Sequence, residues 1–564
     1  MSKRCDIKDI DDDAIYPMPK RCCLSQAYDT DYLSSLSDEV LLHVLSFLSV
    51  PSLLLCQSVS RRFHDLAGDS ELWKRQYYFR WVRPRVRRLG VRHATPHFPH
   101  IGYSPKVSTW LDHGHLAKEG KVTNWKRQYR LRHNWSKGIC RVTAVELSQP
   151  PKPPVLVKFC AGLIFTADSG HGLRAWHADN PESCSANVPF TGSESQAPMV
   201  PTSLTASYCP QQGVVRIAVG FESGCFSVYN MDTGALRLEL RFTHSSSADG
   251  AIIGMASSFP YVLMVSRRNA LSLFMVSSMN ENSDQAPSEL TEEAYLLTTL
   301  KAESILGPMS LSVRIAGSEI ISSIVYSFYH TGCGWSVGIQ ELHFDEGGQQ
   351  INSRLTTTVD CQYGIAPSHF SSRATRQNRP SSNGDLYGWH TEPSILHREP
   401  PTSISYSHPY LLTSHADNTL TVYLVVSTAA RLYVKGGQRL WGHTSSVSAV
   451  QVGDRGKAVS VSSRGDEIRI WELEPLISHF GTQKTLEENS IQVSPENKQY
   501  RKYEAFGVLS RVPRYEVGGS QFHSLEKSCG LDQSHGSVEF DDKRVLLLRE
   551  RKIGNQLLEF YDFT

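Results

Sequence analysis

Seven times between residues 163 and 561 the chain repeats one device: an apolar run, a short polar turn, then a second run closing on an aromatic or apolar residue. LIFTAD leads to LRAW at 173–176, VRIAVGF to CFSVY at 225–229, and YVLMVS to LSLF at 271–274. IVYSFYH leads to WSVGI at 335–339, YLLTSH to TLTVY at 419–423, AVSVSS to IRIW at 468–471, and RVLLLRE to LLEFY at 557–561. Each turn is short enough to make its two runs neighbouring antiparallel strands. Trp176, Tyr229 and Phe274 follow one another at spacings of 53 and 45 residues, close to the roughly 40–45 residues of a four-stranded blade. A closed ring of such blades leaves only short, protected edges. The count gives seven blades, within a range of six to eight.

The sixth copy carries more than a strand pattern. Gly442-His443 is followed by Trp471-Glu472, with DRG at the first turn and RGDEIRIW at the end. This resembles the WD-repeat family, in which a histidine, a serine, an aspartate and the tryptophan form a buried hydrogen-bonded network. On that resemblance His443, Ser463 and Trp471 are the network residues. Gly465 stands where the aspartate belongs, and Asp466 comes one place later.

Before the ring lies a different texture. From residue 33 the chain reads LSSLSDEVLLHVLSFLSVPSLLLCQSVSRRFHDLAGDSELW. Ser37 suits a helix N-cap, with Asp38 and Glu39 in the first turn, where the helix dipole favours negative charge. Val40, Leu41, Val44, Leu45 and Leu48 recur at spacings of three and four. Pro51 suits the first turn of a second helix, and a third is expected from about Ser60. Three helices in so short a stretch bury little surface. Leu41, Leu42, Leu45, Pro51 and Leu54 cannot all point inward, and surplus apolar surface usually meets a partner.

These residues closely resemble the F-box family: Leu36-Ser37-Asp38-Glu39-Val40-Leu41, then Pro51, then Val59-Ser60-Arg61-Arg62-Phe63, then Leu72-Trp73. Ser37 replaces the usual proline. The resemblance implies docking on the small Skp-type adaptor of a cullin ubiquitin ligase. It points to Leu36, Leu41, Leu42, Leu45, Pro51, Leu54 and Trp73 as adaptor contacts.

The expected fold is therefore α plus all-β and multidomain: a disordered tail at 1–31, a three-helix F-box at 32–80, a basic and partly helical linker at 81–138, and a WD-repeat-like β-propeller at 139–564. Long insertions are expected near 280–295, 366–402 and 482–530. From Trp73 into the linker the chain interleaves Arg80, Arg83, Arg85, Arg87, Arg88 and Arg92 with Tyr77, Tyr78, Phe79 and Trp81. Such a mixture can bind single-stranded nucleic acid, but a helical connector is the preferred reading. The segment NWKRQYRLRHNWSKG from Asn124 resembles the helix that precedes the propeller in F-box/WD-repeat proteins. His93, His97, His100, His113 and His115 with Asp112 are close in sequence, but they lack cysteine partners and are broken by prolines. No metal or other cofactor is expected.

Composition narrows the function classes. Lys plus Arg is 58 against 56 Asp plus Glu, which gives no global pull toward nucleic acid or anionic membrane. The 12 cysteines include no C-x-x-C pair, so neither a disulfide scaffold nor zinc spacing emerges. No secretory signal or membrane span is read, and the location expected is nucleus or cytoplasm, with Lys3-Arg4 and Lys20-Arg21 as a candidate bipartite import signal. No phosphate loop, nucleophile elbow or H-E-x-x-H is present. The reading is a non-catalytic substrate receptor of an SCF-type ligase. Its propeller would hold a protein target, in many receptors of this architecture a phosphorylated one. The alternative is an F-box-bearing scaffold acting outside the ligase.

Overall fold

In the computed structural model, the structure describes residues 32–33, 35–84, 123–147, 155–190, 199–210, 212–245, 249–278, 292–301, 306–362, 395–428, 431–465, 467–474, 490–495, 537–550 and 556–564. The expected tail at 1–31, the clustered histidines, and most of the three expected insertions lie outside the described residues. The chain divides into two compact units, residues 1–87 with 119–126 and residues 127–564 with 88–118.

The first unit is helical. Helices α1 (Asp38–Leu45), α2 (Val50–Cys56) and α3 (Arg61–Ala67) stand where the apolar spacing places them. A fourth, α4 (Ser70–Tyr77), corrects the three-helix expectation. Its signal was in the sequence: Asp69 caps it by accepting from the amides of Glu71 at 2.8 Å and Leu72 at 3.4 Å, leaving Leu72, Trp73 and Tyr77 on one buried face. A π-helical turn, Tyr78–Val82, continues it. Leu45, Leu53, Ala67 and Leu72 form the small core.

The second unit is a ring of seven sheets, as the hairpin count predicts. Six are four-stranded, made in chain order by 156–188, 201–244, 252–301, 306–357, 403–440 and 447–492. In each, the hairpin read from sequence forms the two middle strands. The seventh blade takes Val538–Phe540, Arg544–Glu550 and Gln556–Asp562 from the end of the chain. Its fourth strand is Ile139–Leu147, paired antiparallel with Gln556–Asp562 and flanked on its far side by the short parallel pairing of Ser494–Pro495. The ring is thus closed by joining its two ends within one sheet, which no local pattern announces.

The core lies between blades. Seven apolar layers occupy the seven junctions, each holding residues of two adjacent sheets. The first strand of each blade lies innermost, against the first strand of its neighbour. Two expected insertion boundaries move. The strand Glu292–Lys301 begins inside 280–295, and Ser490–Gln492, inside 482–530, is the outer strand of the sixth blade.

Helix α5 (Trp125–Lys137) stands where the connector helix is expected. In the first unit, Trp125 packs on Tyr77 with centroids 5.5 Å apart, and Lys126 Nζ donates to Gln57 Oε1 at 2.7 Å. In the second, Trp135 stacks on Phe563 at 4.0 Å and donates from Nε1 to the Asp542 carbonyl at 2.8 Å. The Lys457 ammonium lies 3.7 Å from the Trp135 ring centroid, a cation–π contact. No described helix is long and apolar enough to cross a membrane.

Candidate functional site

Helix α1 has two apolar stripes, and the structure decides which one is spent on the core. Leu41 and Leu45 point inward, 1% and 2% exposed, and Trp73 is equally buried, its Nε1 donating to the Ala67 carbonyl at 2.9 Å. Leu36 and Leu42 are partly buried. Among the seven expected adaptor contacts, only Pro51 and Leu54 are exposed. Leu41, Leu45 and Trp73, expected as adaptor contacts, are instead enclosed by their own chain in this structure.

The outward stripe is Val40 and Val44 on α1, continued by Phe47 in the turn that follows it, at spacings of four and three. All three are exposed, Phe47 to 70%. Leu54 and Leu55 on α2, the latter also 70% exposed, and Val59 before α3 add to it. The sequence contained this signal in the same periodicity that marked Leu41 and Leu45, but period alone does not say which stripe faces in. Phe47 is positioned by Arg75, whose guanidinium lies 5.8 Å from its ring centroid and donates to Ser46 Oγ at 2.9 Å. Arg62 ties α3 to the start of α1, donating to Asp38 Oδ1 at 2.9 and 2.6 Å. Ser60 caps α3 by accepting from the Phe63 amide at 3.2 Å. A small core held by such clamps can present large apolar side chains to water without collapsing around them.

In the propeller, the sixth blade forms its network through a different serine. His443 Nε2 lies 2.6 Å from Ser460 Oγ, which also accepts from Trp471 Nε1 at 2.8 Å. Ser463, the expected member, sits instead in the turn, with its hydroxyl 2.5 Å from that of Ser446. Ser460 lies within the strand Lys457–Ser462, where its side chain shares a face with its buried partners; Ser463 is past the strand end. Asp466 lies outside the described residues. An acid is present nonetheless: Glu467 Oε2 is 3.4 Å from His443 Nδ1 and accepts from the Thr444 amide at 2.9 Å. Burial pushes the Glu467 carboxyl up, but the Thr444 amide and the Arg469 guanidinium outweigh it and hold the group below its ordinary value.

Similar polar sets pin other turns between second and third strands. Asp168, fully buried, accepts from the amides of Gly170 and His171 and from Arg174 Nη2 at 2.9 Å. In the fifth blade the rings of His397 and His415 stack at 3.7 Å, nearly parallel. Burial lowers both imidazoles, His397 to about 4 and His415 to about 3. Strand directions bring these turns to one end of the ring, with the blade-to-blade connections. Trp135 meets the opposite end, at the turns holding Lys457 and Asp542. The turn end exposes Tyr329, Leu396 and Trp441, the last with the Arg439 guanidinium 5.7 Å from its ring centroid. Among the described residues no cluster of three His, Cys, Asp or Glu side chains could hold a metal.

Comparison with known proteins matches residues 33–78 to the F-box-like family and residues 140–564 to the β-propeller family of F-box protein pof12. The chain belongs to that propeller family. It is 23% identical to F-box protein pof12 of Schizosaccharomyces pombe over 450 residues, covering 78% of this chain and 84% of that protein. It is 34% identical to F-box protein dre-1 of Caenorhabditis elegans over 107 residues, covering 18% of this chain and only 11% of that protein. Among solved structures, Saccharomyces cerevisiae Sqt1 overlaps 70% of this chain and 92% of its own at 10% identity, with a TM-score of 0.33. The chain is thus an F-box protein with a seven-bladed propeller, an architecture consistent with a substrate adaptor.

Proposed function

We propose that the chain is the substrate-recognition subunit of an SCF-type ubiquitin ligase. The F-box docks a Skp-type adaptor, and through it a cullin, while the turn end of the propeller holds a protein target. The observation that carries this reading is the exposed stripe Val40, Val44 and Phe47, with Leu54 and Leu55, on a unit whose own core is complete without them. Its work is positional: a tethered target meets the conjugating enzyme at an effective concentration of order millimolar for a short tether. The chain supplies no covalent chemistry, and it acts in the nucleus or cytoplasm, where such ligases work.

The test is affinity purification of the full chain beside a Phe47→Asp, Leu55→Asp variant, with bound proteins identified by mass spectrometry. Adaptor and cullin should accompany only the unaltered chain, and candidate targets should accompany both. Loss of neither ligase subunit, or absence of both from the unaltered chain, would leave the F-box as part of a scaffold acting elsewhere.

A further inference from the structure

The rim of the propeller between the third and fourth blades carries an apolar strip that the fold leaves in water. On the face of the fourth blade that looks toward the third, Leu342 and Phe344 are buried in the shared layer with Leu263 and Leu273. Ser353 pairs opposite Leu342 and Leu355 opposite Gln340, so alternation puts Ile351, Ser353 and Leu355 on that same face of the outer strand Gln350–Thr357. Ile351 and Leu355 are nevertheless 57% and 59% exposed. Across from them, Leu297 of the third blade's outer strand is only partly buried against the same layer. Among the described residues the strand Gln350–Thr357 ends its sheet, paired only with Gly334–Phe344, so its outward backbone groups are a template for another strand.

One end of this strip is acidic. The turn after Phe344 rests on the third blade: Gly348 has a φ of +79°, and a β-carbon there would collide with Leu297. Asp345 and Glu346 belong to this turn, and Glu293 lies among the first, turn-proximal residues of the facing outer strand at the same end of the blades. Glu346 comes near enough to Tyr261 of the third blade to add to the effect of burial in raising its phenol. The described residues 293–300, 316–319 and 345–350 contain no Lys or Arg. An exposed apolar strip with an acidic end selects an occupant with the opposite charge.

We infer that this rim docks an extended segment of a partner protein, alternating in apolar side chains and carrying Lys or Arg at one end, laid as an added strand beside Gln350–Thr357. Strand addition supplies main-chain hydrogen bonds, while Ile351, Leu355 and Leu297 receive alternate side chains and the carboxylates fix the direction. The assignment is independent of the ligase reading, since it involves neither the F-box nor the turn end of the ring.

The test is selection of a phage-displayed random peptide library on the full chain, with counter-selection on an Ile351→Asp, Leu355→Asp variant whose melting temperature is checked first. Enriched peptides should alternate apolar residues beside a basic cluster. Their affinity by fluorescence polarisation should fall about tenfold or more in that variant, and severalfold in a Glu293→Lys, Glu346→Lys variant that leaves the apolar strip intact. No enrichment over the counter-selection, acidic or neutral consensus sequences, or equal binding by the charge-reversed chain would overturn the proposal. So would concentration-dependent dimerisation abolished by Ile351→Asp, Leu355→Asp, which would give the rim to a second copy of the chain.

Discussion

The helical unit and the propeller treat large apolar side chains in opposite ways. The propeller buries most of them in seven layers and leaves a few at its rim and turn end, so each blade is stabilised by two neighbours, and removing one buried side chain is felt across a junction. The F-box keeps four buried residues in its core cluster and leaves Val40, Val44, Phe47, Leu54, Leu55 and Val59 exposed. A domain that small could bury more of its leucines only by giving up its outer surface. The difference separates a unit whose core is built between many elements from one that holds much of its apolar surface outside its core.

The largest effect should come from confusing the two stripes of α1. Replacing Leu41 and Leu45 by Asp buries two unpaired carboxylates, costing several kcal/mol. Limited proteolysis should then cut within 33–78 while the propeller stays resistant. If the F-box stays protected, the burial assigned to those leucines is wrong. Next in size, Trp471→Ala should destabilise the propeller by about 3–5 kcal/mol, visible as a lower melting temperature with the helical unit intact.

The stacked histidines supply a pH dependence confined to the propeller. Both imidazoles are held below their unfolded value of 6.5. Above that pH they are neutral whether folded or unfolded and contribute nothing. As pH falls through 6.5 toward about 4, the unfolded chain takes up protons that the folded one refuses, so stability drops by roughly 1 kcal/mol per pH unit for each ring. Denaturant titrations at several pH values should show this slope in the wild type and a shallower one in His415→Asn. An unchanged slope would remove the histidine pair as its source. Smaller again, Ser460→Ala should cost about 1–3 kcal/mol by stranding two buried partners. Ser463→Ala should cost less, and the reverse ranking would restore the turn serine to the network.

How much could be read in advance follows the same division. The seven hairpins were visible because their middle strands are continuous apolar runs between turn residues. The outer strands were not: NPESCSANV at Asn180–Val188 is half-exposed and polar, with no period to find. Closure by Ile139–Leu147 was invisible because its partner, Gln556–Asp562, lies at the far end of the sequence. In the F-box, periodicity marked both stripes of α1 but not their direction, which depends on α3 and α4 packing against one of them. Ser463 is displaced from the network for a related reason: a family spacing places the serine in a turn, while the geometry requires one within the strand, Ser460.

On the proposed function, adaptor docking falls to the exposed stripe and not to the buried leucines. Isothermal titration of a purified Skp-type adaptor into the full chain and into a Phe47→Asp, Leu55→Asp variant tests it directly. The unaltered chain should bind tightly, with a loss of a hundredfold or more, about 3 kcal/mol, in a variant that keeps its melting temperature and its protection at 33–78. Undiminished binding by that folded variant would contradict it.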